Sequence, residues 1–227
     1  MARAVHNDNM SGAKKTRIAL VDDQPLYLEM LSSVLGGHPN IELVLAAAGA
    51  AEARANLRPG MVDVAILDVD LADGNGVGLG ISLRRADPNI GIMLLSSQDV
   101  MELLLDLPAD VRRGWSYLSK TASLSTQSLV DAIEATARGE TVLDGELVRR
   151  ARPREGSLLA QLSKRQYEVL QLVAQGLSNT GVAEALEISA RSVENHLNAI
   201  YTALEIPEGR NARVSAVLKL VEESSRA

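Results

Sequence analysis

Two groups of carboxylates stand where a carboxylate needs a reason. Asp22-Asp23 closes the apolar run Ile18-Ala19-Leu20-Val21. Asp68 closes Ala65-Ile66-Leu67 within the stretch AILDVDLADGNG, with Asp70 and Asp73 close behind. A charge at the end of a buried segment is costly unless it is paired, solvated or bound to a cation. Brought together, Asp22, Asp23 and Asp68 repel one another, and a hard divalent cation relieves that repulsion. Oxygen ligands on a shallow site suit Mg2+. The same ion neutralises an incoming phosphoryl group, and an aspartate held beside it has the chemistry to attack phosphorus and form an acyl phosphate. Lys120 offers a fixed positive charge for the phosphoryl oxygens, and Ser96 a hydroxyl to hydrogen-bond one of them. Asp73 and Asn75 read as turn formers or helix caps.

These residues meet only if the chain carries them to one place, and the first half of the sequence is patterned to do so. Short apolar runs at 17–21, 41–46, 62–67, 90–95 and 115–118 alternate with helical patterns at 25–35, 50–57, 78–85, 100–107 and 123–138. Five strands alternating with five helices predict an α/β fold, a doubly wound, five-stranded parallel sheet covered on both faces. The runs are continuously apolar rather than alternating, as strands buried on both sides require. Ligands of such sheets bind outside the carboxyl ends of the strands. Asp22, Asp23, Asp68 and Ser96 fall just after strand ends, and Lys120 follows the fifth strand.

The composition agrees. The chain has 227 residues, 46% of them hydrophobic, with no Cys and no Phe. That length fits one large or two ordinary domains. No apolar run is long enough to span a bilayer, and residues 1–15 read as a disordered tail without a secretory pattern. A cytoplasmic protein with no membrane partner is expected. The net charge of −6 gives no global sign of a nucleic-acid partner.

The motifs VDDQP, ILDVDLADGNG, LLSS and YLSK resemble the receiver domain of two-component response regulators over residues 16–139. The resemblance implies that Asp68 is the phosphoacceptor, supplied by a sensor histidine kinase. It implies that Asp22, Asp23 and Asp68 hold Mg2+, with the Asp70 main-chain carbonyl as a further ligand. Ser96 and Tyr117 would be a switch pair, and Lys120 would contact the phosphoryl group. Tyr117 also reads as simple packing at a strand end. The chain departs from the usual pattern at Ala72, where Pro is common, at Asn75-Gly76, where Asp-Gly is common, and at Ser116, where Gly is common. Asp68-Val69-Asp70 also fits the DxD of haloacid-dehalogenase-like phosphatases. There the motif follows the first strand, whereas here it follows the third.

Residues 140–157 read as a linker, with Arg149, Arg150, Arg152 and Arg154 either solvated or adding phosphate contacts. From 158 to 227 the pattern is all-α and small. Ser163, Ser178 and Ser189 are placed to cap successive helices, and the tight Glu187-Ile188 connection makes a helix-turn-helix candidate. LSKRQYEVLQLVAQGLSNTGVAEALEISARSVENHLNAIYTALEI resembles the LuxR-type helix-turn-helix of the NarL/FixJ class. That resemblance implies binding to double-stranded DNA and dimerisation through a last helix carrying Val214, Val217, Leu218 and Val221. Glu194, Asn195 and Asn198 would face the groove, where Asn reads adenine and Glu accepts from cytosine. Arg191, Ser192 and Asn179 would meet phosphates. Glu194 and Arg191 also read as solvated helix charges. Seven basic against eight acidic residues in 158–227 leave a net charge of −1, poor for a domain whose affinity comes largely from phosphates. The expectation is therefore a phosphorylated, DNA-binding regulator, homodimeric when active, and not an enzyme with its own turnover substrate. Its rival is a regulator with a degenerate reading helix, acting through protein partners or independently of phosphorylation.

Overall fold

The computed structural model describes residues 14–97, 107–108, 111, 114–121, 125–207 and 211–226. Its first unit runs β1 (Thr16–Val21), α1 (Pro25–Gly36), β2 (Ile41–Ala47), α2 (Ala50–Asn56), β3 (Val64–Asp68), a two-stranded hairpin of β4 (Asp70–Leu71) and β5 (Gly74–Asn75), α3 (Gly76–Ala86), β6 (Gly91–Ser96), β7 (Trp115–Ser119) and α4 (Thr126–Ala137). Five strands pair in parallel in the order β2-β1-β3-β6-β7. The helix expected at 100–107 lies almost wholly outside the described residues, as does the start of the one expected at 123–138.

The strand sequences explain the layering. Side chains alternate across a strand, so Ile18 and Leu20 face Leu31, Leu35, Val130 and Ile133 of α1 and α4. Ala19 and Val21 face the other way, into a cluster with Ala50, Ala53 and Leu79 of α2 and α3. Both faces being covered accounts for the unbroken apolar runs.

The stretch 140–157 is more than a connector. It holds α5 (Gly145–Arg150), capped by the Asp144 carboxylate, and β8 (Ala151–Pro153). Four helices follow a short 3-10 turn at Leu158–Gln161. They are α6 (Lys164–Ala174), α7 (Asn179–Ala185), α8 (Ala190–Ala203) and α9 (Ala212–Glu223). Ser163, Ser178 and Ser189 cap α6, α7 and α8, and Ser163 with Gln166 forms a complete capping box. After α9, β9 (Ser224–Arg226) pairs antiparallel with β8.

Three of the four α9 residues expected at a dimer face also pack within the chain. Val214, Val217 and Val221 are each buried to 5% exposure or less, and Leu218 alone of the four is half-buried. Ala216, Val217, Leu220 and Val221 join the apolar cluster that holds α6 and α8 together. A small domain without Phe needs every aliphatic side chain it can bury.

Among the described residues no helix is long and apolar enough to cross a membrane.

Candidate phosphoryl site and helix-turn-helix

Asp68 is the last residue of β3, in register with Leu95, and Ser96 is the last residue of β6, in register with Ser119. Both were expected just beyond their strands. Pairing continues through them, Asp68 against β6 and Ser96 against β7. Asp22 follows β1, and its N–H donates to Ala47 O. Three strand ends therefore deliver Asp22, Asp68 and Ser96 to one mouth, with exposures of 1%, 3% and 0%.

Lys120 enters from the end of β7, its N–H donating to Ser96 O at 2.8 Å. Its ammonium lies 2.7 Å from Asp22 Oδ2 and 2.8 Å from Asp68 Oδ2. Burial pushes the Asp68 carboxyl above its ordinary range against the opposing pull of Lys120. Burial also acts to lower Lys120, but Asp22 and Asp68 outweigh it and hold the ammonium above its ordinary range. The ring of Tyr27 lies 4.7 Å from Lys120 Nζ, within reach of a cation–π interaction. No sequence signal singled Tyr27 out beyond its place just after Pro25-Leu26.

Asp23 completes the cluster. One oxygen from each of Asp22, Asp23 and Asp68 lies within 4.8 Å of the others. Asp22 Oδ2 is buried and meets the Lys120 ammonium as an ion pair. Three converging carboxylates, two of them buried, fit a hard cation such as Mg2+. The Asp70 side chain is exposed, on the hairpin that follows.

Close packing sets the hairpin against Asp68. A Cβ on Gly76 would stand 1.9 Å from the Asp68 carbonyl oxygen, so only glycine lets α3 begin there. Asn75 caps α3 through the Val77 and Gly78 amides. Asp73 caps a different helix: its carboxylate accepts the Ala50 and Ala51 amides at 2.7 and 2.8 Å, across the chain at the start of α2.

Tyr117 is 1% exposed, in the middle of β7. Its N–H donates to Val142 O at 2.8 Å, and Tyr117 and Leu143 form a parallel bridge. Leu143 N–H then donates to Ala174 O of α6 at 2.7 Å, and Asp144 accepts the Ser119 N–H at 3.3 Å. Residues 141–143 thus lie along the β7 edge and tie it to the helices. Glu140 and Arg213 add an ion pair at 3.6 Å across the same seam.

On α8, Val193, Leu197 and Ile200 face inward. Arg191, Glu194, Asn195 and Asn198 are exposed, at spacings that place them on one side of the helix. Two other candidate DNA contacts have partners within the chain. Asn179 Oδ1 accepts a bond from Arg213 at 3.1 Å, and the Ser192 hydroxyl is 2.8 Å from that of Ser189. In the basic stretch, Arg149 and Arg150 pair with Glu146, while Arg154 donates to Glu222 O.

Comparison with known proteins matches both units. Residues 18–134 match the response regulator receiver domain, and residues 160–216 match the bacterial regulatory proteins of the luxR family. The response regulator protein VraR of Staphylococcus aureus is 30% identical over 204 residues, covering 88% of this chain and 95% of its own. The response regulator ChrA of a heme-sensing two-component system is 28% identical, covering 91% and 98% of the two chains, with a TM-score of 0.48. The RcsB response regulator of Salmonella typhimurium is 20% identical, covering 91% and 99%, with a TM-score of 0.51, a likeness of fold.

Proposed function

We propose, for a chain that belongs to the LuxR-type response regulators, that Asp68 accepts a phosphoryl group from a sensor histidine kinase and that the acyl phosphate controls DNA binding in the cytoplasm. The observation that carries this reading is the Lys120 ammonium lying between Asp22 and Asp68 at a strand mouth built of carboxylates. An Asp68 oxygen bonds to phosphorus as the P–N bond of the donor imidazole breaks. The nitrogen keeps the electron pair. Lys120 leaves one carboxylate partner to meet the phosphoryl oxygens, and the Ser96 hydroxyl takes another oxygen. Asp22 and Asp23, with Asp68 and the Asp70 carbonyl, would hold Mg2+, which supplies positive charge against the transferring group. Leu26, Met30 and Val34 are exposed along α1 beside the site, an apolar stripe fitted to the kinase.

The seam of Tyr117, residues 141–144 and Ala174 supports the output step. Phosphorylation would shift Tyr117 and Ser96 and bias a two-state arrangement of receiver and helices. The released helices would dimerise on DNA, with Leu218 the member of the expected face left available. Arg191, Glu194, Asn195 and Asn198 would meet the groove, with Asn179 and Ser192 at its phosphates.

Sequence selection from a random duplex pool tests the reading, with protein locked by beryllofluoride and Mg2+ against an Asp68→Asn control. An inverted repeat enriched by the locked protein alone supports it. Equal enrichment by both discards phosphorylation as the control. The net charge of −1 in 158–227 favours a second reading, a regulator acting through a protein partner. Absence of any enrichment, with beryllofluoride bound, would favour that reading.

A further inference from the structure

We infer that the main-chain amide of Ala72 positions the Asp23 carboxylate for the divalent cation. The inference rests on the metal reading given above and concerns a donor outside the carboxylate cluster. Ala72 and Asp73 form the two-residue tip of the hairpin between β4 and β5. The Ala72 N–H donates to Asp23 Oδ2 at 2.8 Å.

Asp23 needs holding more than its neighbours do. Lys120 ties down Asp22 and Asp68, and the Gln24 N–H adds a bond to Asp22 Oδ1 at 3.0 Å. Asp23 is only half-buried, and no described cation pairs with it. Facing two buried carboxylates, it is the member of the cluster with solvent to swing into. The Ala72 amide is its one hydrogen-bond partner among the described residues. A charge-assisted N–H bond is strong enough to keep the side chain in the cluster. It occupies one of about four lone-pair positions on the carboxylate, so cation ligation remains open. A ligand already in place loses less conformational freedom on binding.

The donor is itself anchored. Asp73, its neighbour at the tip, is bound to the Ala50 and Ala51 amides of α2. The hairpin tip thus clamps α2 on one side and aims an amide at Asp23 on the other. The Pro that is common at this position in receiver domains has no N–H and cannot make the bond.

Calorimetric titration of the full chain with Mg2+, without any phosphodonor, tests the inference on wild type, Ala72→Gly and Ala72→Pro. Ala72→Gly keeps the N–H and is expected within about two-fold of wild type. Ala72→Pro is expected to weaken Mg2+ binding about five-fold, the loss of one hydrogen bond of ~1 kcal/mol. Proline also changes the stiffness of the tip, so an amide-to-ester replacement at residue 72 deletes the donor and keeps the Ala side chain. It should weaken binding to a similar extent. Unchanged or tighter binding in both donor-less variants overturns the inference and leaves the metal reading standing. Equal weakening in Ala72→Gly and Ala72→Pro assigns the effect to the tip's stiffness and also overturns it. A wild type that binds no Mg2+ overturns the metal reading, and this inference with it.

Discussion

At the scale of single residues, the molecule separates charges that act from charges that hold. Arg17 and Asp63 belong to the second kind. The guanidinium donates to Asp63 Oδ1 at 2.8 Å and Oδ2 at 3.3 Å, and the Arg17 N–H adds a bond at 2.9 Å, joining the start of β1 to the approach to β3. These bonds hold the Asp63 carboxyl below its ordinary range. A lowered carboxyl adds stability above its unfolded pKa of about 4, and that stability is lost as pH falls through the folded value. Asp63→Asn should therefore lower the urea midpoint at pH 7, and the gap to wild type should close toward pH 3. A gap of the same size at both pH values would refute the assignment. Asp22, Asp23, Asp68 and Lys120 were legible in the sequence because charge that ends an apolar run has few structural uses. Tyr27 was not, and Ala72 stood out only as the absence of a Pro. One contributes the face of a ring and the other a backbone amide, and no residue type announces the partner of either.

At the scale of elements, capping serines were readable because the cap is local: side chain and amide lie within three residues. Asp73 shows the opposite case, a cap supplied from another loop, which no local pattern contains. The turn between α7 and α8 adds a cost the sequence did not advertise. Glu187 sits at φ 54°, in the left-handed region, while Ile188 N–H donates back to Ala183 O. A side chain there is strained relative to glycine. Glu187→Gly is expected to stabilise the helical unit by about 0.5–1 kcal/mol, read from its thermal or urea midpoint. A loss of stability would show that the Glu187 side chain earns its place by contacts instead. The packing of the α9 face was only half legible for a related reason. Helical spacing marks an apolar stripe without saying whether the stripe meets the same chain or another copy.

At the scale of the whole molecule, one buried hydroxyl adds to the bonds that hold the seam between the units. Thr136 Oγ1 spends its hydrogen on Ala132 O at 2.7 Å, so the Ser116 hydroxyl donates to Thr136 across 2.6 Å and is left to accept the Val142 N–H at 3.0 Å. All three residues are buried. Ser116→Ala strands the Val142 amide, and an unsatisfied buried amide costs about 1–3 kcal/mol. Faster hydrogen exchange at Val142, with easier proteolysis within 140–157, is the expected outcome. Exchange unchanged from wild type would show that the hydroxyl does not anchor the linker. The two-unit architecture was plain from pattern, since strand–helix alternation gives way to helices alone. The linker's place along β7 was not, because backbone pairing by so short a segment leaves no periodicity to read.

β7 is the last strand of the sheet, and residues 141–143 are what lies along its open side. An uncovered outer strand is a template on which any extended chain can add. The same three residues that join the units are therefore also a guard against aggregation. Any variant or condition that releases them exchanges an internal pairing for an adhesive border, and self-association should rise with protein concentration in proportion to how far the seam has opened.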